Sequence, residues 1–243
     1  LDRIVELREG TQSKSLVGLR INPAVGEGRI ASTSVAIARS KFGVCLGERR
    51  EEIREAFARY GWLTGLHVHV GSQGMSLAQL VEGVRRVADL YVELREGTGL
   101  CRFNIGGGLP ARYSADDPDL TFGLYASALR SSCPVLFDGT VQLTTEFGRS
   151  IHAGNGWAAS RIEYITEHDD GSATLMVHVG ADLFLRKAYR PEDWHHDLSV
   201  CDTTGRLRTG KERQYQVAGP LCFSGDYLAR EVMLPVDIQE GDY

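Results

Sequence analysis

Two histidines stand two residues apart in His67-Val68-His69-Val70-Gly71-Ser72-Gln73. Alternation along an extended strand puts both imidazoles on one face, where burial is costly unless each ring is hydrogen-bonded or used. Gly71 and Ser72, a small residue and a hydroxyl, suit close approach to a phosphate. Asn104-Ile105-Gly106-Gly107-Gly108-Leu109 adds three successive glycines, whose backbone N–H groups can converge on an anion. The spacing differs from the GxGxxG of dinucleotide sites, and a tight turn is the plain alternative. In Thr145-Glu146-Phe147-Gly148-Arg149 a carboxylate lies three residues from a guanidinium. The carboxylate can keep a ring nitrogen of a bound heterocycle protonated, and the guanidinium suits an anion; an ordinary salt bridge is the alternative. Gly219-Pro220-Leu221-Cys222-Phe223-Ser224-Gly225-Asp226 runs into a thiol, a hydroxyl and a carboxylate, although a single cysteine is more often structural. Arg20-Ile21-Asn22-Pro23 and Ser40-Lys41-Phe42-Gly43 are weaker clusters of the same kind.

These clusters need elements to carry them. Up to about Ser150, short apolar runs alternate with longer amphipathic stretches, the pattern of βα units and a parallel sheet. Strands are predicted at Leu16–Ile21, Thr64–Val70, Cys101–Ile105 and Val141–Glu146, which puts the clusters at their carboxyl ends, where parallel barrels assemble active sites. One helix is predicted over Glu48–Tyr60, with Ile53, Ala56, Phe57 and Tyr60 on its apolar face and Gly61 as its C-cap. Another is predicted over Ser76–Arg95, N-capped by Ser76 and closed by Gly97, with Leu77, Leu80, Val84, Val87, Ala88 and Tyr91 as core. Beyond Ser150 the texture changes. Trp157–Ile165 and Ala173–Val179 flank a turn and read as a β-hairpin, and strand-like runs recur at Asp197–Val200, Gln214–Val217 and Glu231–Leu234. The expected organisation is α/β over residues 1–150 and mostly antiparallel β over 151–243.

The 243 residues, 42% hydrophobic and 24% charged, are those of a folded globular protein rather than a disordered one. A net charge of -5, with no dense run of Lys or Arg, argues against a nucleic-acid partner. No apolar run approaches the length that crosses a bilayer, so no membrane role is expected. The five cysteines form no CxxC pair, which points away from a zinc site or disulfide framework and toward a reducing, cytoplasmic setting. Lysine is scarce: Lys14, Lys41, Lys187 and Lys211 are the full set.

Taken in order, the clusters resemble the fold-type III pyridoxal-phosphate-dependent decarboxylases, and most closely the diaminopimelate decarboxylase branch, along essentially the whole chain. The resemblance implies the back half of a (β/α)8 TIM-type barrel followed by a β-sandwich-like domain, with pyridoxal 5'-phosphate as cofactor and no metal. It also implies a small amino-acid substrate and a homodimer whose active sites are shared between subunits. His67 and His69 would both bind the cofactor, with His69 stacked on its ring and serving catalysis. Ser72 and the backbone of Gly106, Gly107 and Gly108 would hold the phosphate. Glu146 would pair with the pyridine nitrogen, and Arg149 would bind phosphate or a substrate carboxylate. Cys222 would reach the partner's active site and return a proton to carbon after CO2 departs. Arg20 and Asn22 resemble barrel residues near the cofactor.

The departures sharpen the expectation. Glu146-Phe147-Gly148-Arg149 replaces the family's Glu-Pro-Gly-Arg but keeps both charges. Phe223 stands where diaminopimelate decarboxylases place a glutamate against the far end of the substrate. A phenyl ring cannot pair with a distal ammonium, so the expected substrate is an amino acid other than meso-diaminopimelate. The family's substrate-binding Arg-Pro-x-x-Tyr is matched in part by Arg186 and Tyr189, and in part by Arg190-Pro191-Glu192-Asp193-Trp194. The family also places a lysine in a Tyr-Ala-x-Lys context to hold the cofactor covalently, and a late aromatic after Asp-x-Gly-Ala; neither motif is present. Both absences fall at the ends, and half a barrel leaves open sheet edges, so the expectation is one part of a longer protein. The rivals are a catalytically inactive regulatory homologue and an amino-acid racemase on the same barrel. Cys222 counts against the second, since alanine racemases use a tyrosine there.

Overall fold

The computed structural model describes residues 1–113, 117 and 119–243. It divides into two compact units, Leu1–Ala111 with Pro118–Gly154, and Arg112–Asp117 with Asn155–Tyr243.

The first unit runs α1 (Asp2–Thr11), β1 (Val17–Asn22), β2 (Val44–Cys45), α2 (Arg50–Arg59), β3 (Leu63–Val68), α3 (Leu77–Leu94), β4 (Arg102–Asn104), α4 (Phe122–Ser132), β5 (Gln142–Thr144) and α5 (Gly148–His152). Its strands form one sheet in the order β2-β1-β3-β4-β5, with every pairing parallel. Register explains the alternation in the sequence. Leu19, Leu66, Phe103 and Leu143 lie side by side across four strands, and Ile21 pairs with Val68 one step further on. These residues belong to the helix-side core, in which Ile21, Leu66, Val68 and Phe103 are almost fully buried. The opposite face carries Gly18, Gly65, Arg102 and Gln142 in one row and Arg20, His67, Asn104 and Thr144 in the next. One face thus packs the fold and the other presents polar groups.

Helix α3 is fixed at its start by reciprocal capping: Gln79 N–H donates to Ser76 Oγ, and the Gln79 side chain accepts from Ser76 N–H. Leu80, Val84, Val87, Ala88, Leu90, Tyr91 and Leu94 are buried along it, each leucine and valine contributing roughly 1.5–3 kcal/mol on full burial. The expected cap at Gly61 is not the one used. Helix α2 ends at Arg59 with Tyr60 as C-cap at φ -112°, and Leu63 N–H donates to Tyr60 O (2.8 Å), so the chain turns at once into β3.

The second unit carries β6 (Ile162–Glu167), β7 (Ala173–Val177), α6 (Leu185–Tyr189), β8 (Glu212–Ala218) and β9 (Tyr227–Pro235). The sheet order is β6-β7-β8-β9, with β6/β7 and β8/β9 antiparallel and β7/β8 parallel. The predicted hairpin is β6/β7. The strand expected at Asp197–Val200 is absent. Cys201 instead makes an isolated bridge to Leu207 and exchanges both backbone hydrogen bonds with Tyr243, at 2.7 and 2.8 Å. Among the described residues no helix is long and apolar enough to cross a membrane, and all five cysteines are free thiols.

Candidate active site

The polar row Arg20–His67–Asn104–Thr144 ends in loops that converge on Glu146. Asn104 Nδ2 donates to Glu146 Oε1 (2.8 Å), while Asn104 Oδ1 accepts from Gly106 N–H (2.8 Å). Both ends of one amide therefore aim the carboxylate. His67 Nε2 lies 3.6 Å from Glu146 Oε1, and His69 Nδ1 lies 3.9 Å from Glu146 Oε2. His69 Nδ1 also accepts from Gly107 N–H (3.1 Å), which fixes the ring as the tautomer protonated at Nε2. His67 Nε2 is buried and has no hydrogen-bond partner, whereas the Glu146 side chain is 45% exposed.

Burial is the main cause that holds both imidazoles below their ordinary value. Glu146 opposes this at each ring. The Arg20 guanidinium reinforces it at both, and His67 adds to it at His69. Both rings are therefore neutral over a wider pH range than a surface histidine.

The three glycines have a steric reason to be there. A Cβ on Gly106 would lie 2.4 Å from Val68 O, one on Gly107 2.3 Å from Glu146 O, and one on Gly108 2.2 Å from Gly71 O. Gly106 and Gly108 also have positive φ, at 68° and 99°. The loops after β3, β4 and β5 can close on one another only with no side chain at these positions. Gln73 ties the same loops: its amide accepts from Ala111 N–H (3.0 Å) and donates to Ala111 O (2.8 Å). Arg149 Nε donates to Ser72 Oγ (3.1 Å), placing a guanidinium and a hydroxyl together at the rim.

The structure thus gathers His67, His69, Ser72, Gly106, Gly107, Gly108, Glu146 and Arg149 in the first unit. Cys222, Arg186, Tyr189 and Phe223 belong to the second. There Cys222 is exposed, and the Phe223 and Tyr189 rings lie 5.9 Å apart at 33°. The Arg186 guanidinium sits 5.0 Å over the Trp194 ring. Asp226 is buried, and its carboxylate accepts from Ala181 N–H (2.5 Å) and Leu221 N–H (2.7 Å). It therefore joins the loop that carries Cys222 and Phe223 to the loop that leads into α6. Lys41 Nζ lies 5.0 Å from the Phe42 ring centroid, and Lys187 donates to Pro191 O (3.3 Å). Sequence reasoning assigned no role to Asn104, Gln73 or Asp226. Asn104 was within reach, because period two from Gly106 places it on the histidine face.

A family model described as the pyridoxal binding domain of pyridoxal-dependent decarboxylases matches residues 1–153. The chain belongs to this family. Diaminopimelate decarboxylase from Pseudomonas aeruginosa is 30% identical over 250 residues, covering 100% of this chain and 56% of that protein. The Streptomyces coelicolor enzyme of the same name is 33% identical over 86% of this chain and 47% of its own length. A crystal structure of the M. jannaschii diaminopimelate decarboxylase in co-complex with L-lysine aligns with a TM-score of 0.79 and 26% identity, over 98% of this chain and 54% of that one. The chain thus spans about half the length of the relatives it matches. These likenesses identify the fold as part of a pyridoxal-binding (β/α)8 barrel followed by a mostly antiparallel β domain.

The side chains present fit the family's cofactor, pyridoxal phosphate. Glu146 offers a half-exposed carboxylate beside a buried imidazole nitrogen that lacks a partner. The Ser72–Arg149 pair supplies a hydroxyl and a guanidinium of the kind that bind phosphate.

Proposed function

We propose that the protein containing this chain is a pyridoxal-phosphate-dependent amino-acid decarboxylase related to diaminopimelate decarboxylase, acting on an amino acid other than meso-diaminopimelate. The observation that carries this reading is the Glu146 carboxylate, aimed by Asn104 and flanked by His67 and His69 on a face that ends in a glycine-closed loop cluster.

Bound there, pyridoxal phosphate supplies a protonated ring that accepts the electrons released when the bond to the α-carboxylate breaks. Glu146 holds the proton on the ring nitrogen, and Asn104 keeps the carboxylate in place. His69 offers its ring face to the cofactor, with Nδ1 tied to Gly107 so that the plane is fixed. Ser72 Oγ and Arg149 bind the phosphate together with the Gly108 backbone; Gly106 and Gly107 shape that loop while their own N–H groups serve Asn104 and His69. Arg186 binds a substrate carboxylate, and Cys222 Sγ delivers a proton to the α-carbon from a partner subunit. Tyr189 and Phe223 present a pair of adjacent, tilted rings to the distal end of the substrate. That surface favours an apolar or aromatic end and offers no carboxylate to an ammonium.

The test is made on the full-length protein. It is expected to be yellow with pyridoxal phosphate, and borohydride is expected to fix the cofactor to a lysine, located by peptide mass. Release of CO2 across a panel of amino acids should be greatest for one without a distal cation. A colourless protein that neither binds the cofactor nor releases CO2 overturns the proposal, and preferred release from meso-diaminopimelate overturns its substrate half.

A further inference from the structure

The Ser40-Lys41-Phe42-Gly43 cluster is not absorbed by any of these roles. The structure places it beside the active-site face. Arg20 stands on β1 next to His67 of β3. Its guanidinium lies 4.7 Å from the centroid of the Phe42 ring, and its Nη2 is 3.5 Å from His69 O. The ring's approach is fixed from three sides. Phe42 N–H donates to Ser40 Oγ (3.1 Å). The next residues, Val44 and Cys45, pair with Ile21 and Asn22 of β1. Gly43 lies against β1 so closely that a Cβ there would meet Arg20 O at 3.0 Å and Asn22 N at 3.1 Å. A cation against an aromatic face is attracted by the ring's quadrupole, which gives the guanidinium a preferred seat in addition to its long hydrogen bond to His69 O.

We propose that Phe42 is a positioning residue: its ring face holds the Arg20 guanidinium against the end of β3, between the phenyl ring and the two histidines. The inference rests on the proposed site only for its functional meaning; the geometry stands without it.

Arg20 is the cation that reaches His67 and His69 from β1. The anion facing them is Glu146, after β5; Asn104 and Gly107, from β4 and its loop, contribute neutral groups; Lys41 lies over the Phe42 ring. Arg20 pushes both imidazoles down and Glu146 pushes both up. If the ring lets Arg20 swing away, the downward push weakens and both midpoints rise.

The experiment is a pH titration by NMR of full-length protein labelled at histidine Cε1, without added cofactor. Four proteins are compared with wild type: Phe42→Leu, Phe42→Tyr, Arg20→Met, and one with pentafluorophenylalanine at position 42, which keeps the ring's shape and reverses its quadrupole. Arg20→Met is expected to raise the His67 and His69 midpoints. Phe42→Leu and the fluorinated ring should raise them in the same direction, and Phe42→Tyr should leave them at the wild-type values. The fluorinated ring keeps the proposal testable if the leucine variant fails to fold. Midpoints that stay at wild type in both the leucine and fluorinated proteins, or that fail to move in Arg20→Met, overturn it. A protein that releases no CO2 from any amino acid but shows these shifts overturns the decarboxylase reading and supports the role of Phe42. A working decarboxylase without the shifts does the reverse.

Discussion

Glu146 gains its meaning from what surrounds it. A carboxylate that is half exposed, fixed by Asn104 and bracketed by two imidazoles suits a proton that arrives with a ligand, the role we propose for it, better than a lasting ion pair. Glu146→Gln keeps an oxygen to accept from Asn104 and removes the charge. Under the proposed function, CO2 release by the full-length protein is expected to fall on the order of 10²-fold or more, with pyridoxal phosphate still bound, because the loss falls on the chemical step. A fall in cofactor affinity with unchanged turnover at saturating cofactor would show that Glu146 only anchors. The histidines add a pH dependence whose sign follows from their shifts. Both folded imidazoles sit below the ordinary value of 6.5. As pH falls through that value the unfolded chain takes up protons and the folded one does not, so stability present above it is lost progressively down to the depressed folded values. Melting temperature should therefore drop more steeply from about pH 7.5 to about pH 5.5 in wild type than in a His67→Gln/His69→Gln double variant. Equal slopes would mean that these rings are not held neutral.

At the scale of elements, the buried Asp226 carboxylate joins two of the second unit's loops. Asp226 accepts from Ala181 and Leu221 N–H groups, and Gly180 and Gly219 lack side chains where that carboxylate sits, a Cβ on either meeting it within 2.2 and 2.4 Å. Asp226→Ala leaves the buried Ala181 amide and the part-buried Leu221 amide without their acceptor and is expected to cost about 2–5 kcal/mol of stability. The same change should loosen the Cys222 loop, read as faster alkylation of that thiol below the melting transition. Unchanged melting would show that water replaces the carboxylate without penalty. Elements also divide what could be read in the sequence from what could not. The strands β1, β3, β4 and β5 and the helix α3 are legible because each buries one face against a continuous core, and burial writes a period into the residue types. Helix α1 buries no residue, and β2 is two residues long, so neither leaves a period to read. Gly61 misled because a glycine after a helix is a frequent cap, yet here the backbone of Tyr60 makes the turn. The triple glycine was legible as a site and not as a mechanism: anion binding and close packing of strand ends ask for the same residue.

For the whole molecule, the proposed function requires the two groups of side chains to act on one substrate. Clusters read one at a time give the two groups, and no pattern within one chain can give their pairing, because a site shared between copies leaves the same residues in each sequence. We expect Glu146 of one subunit to work with Cys222 of another. The prediction is made on mixed dimers of full-length Glu146→Gln and Cys222→Ala proteins, each nearly inactive alone. Equal amounts, dissociated and reassociated at random, give about half mixed dimers, and in each of these one of the two sites has both wild-type residues. CO2 release should then recover to about a quarter of the wild-type rate per subunit. It should rise with the time allowed for exchange and stop when the subunits are cross-linked beforehand. If Glu146 and Cys222 of the same subunit form each site, every site in every dimer lacks one residue, and mixing restores nothing.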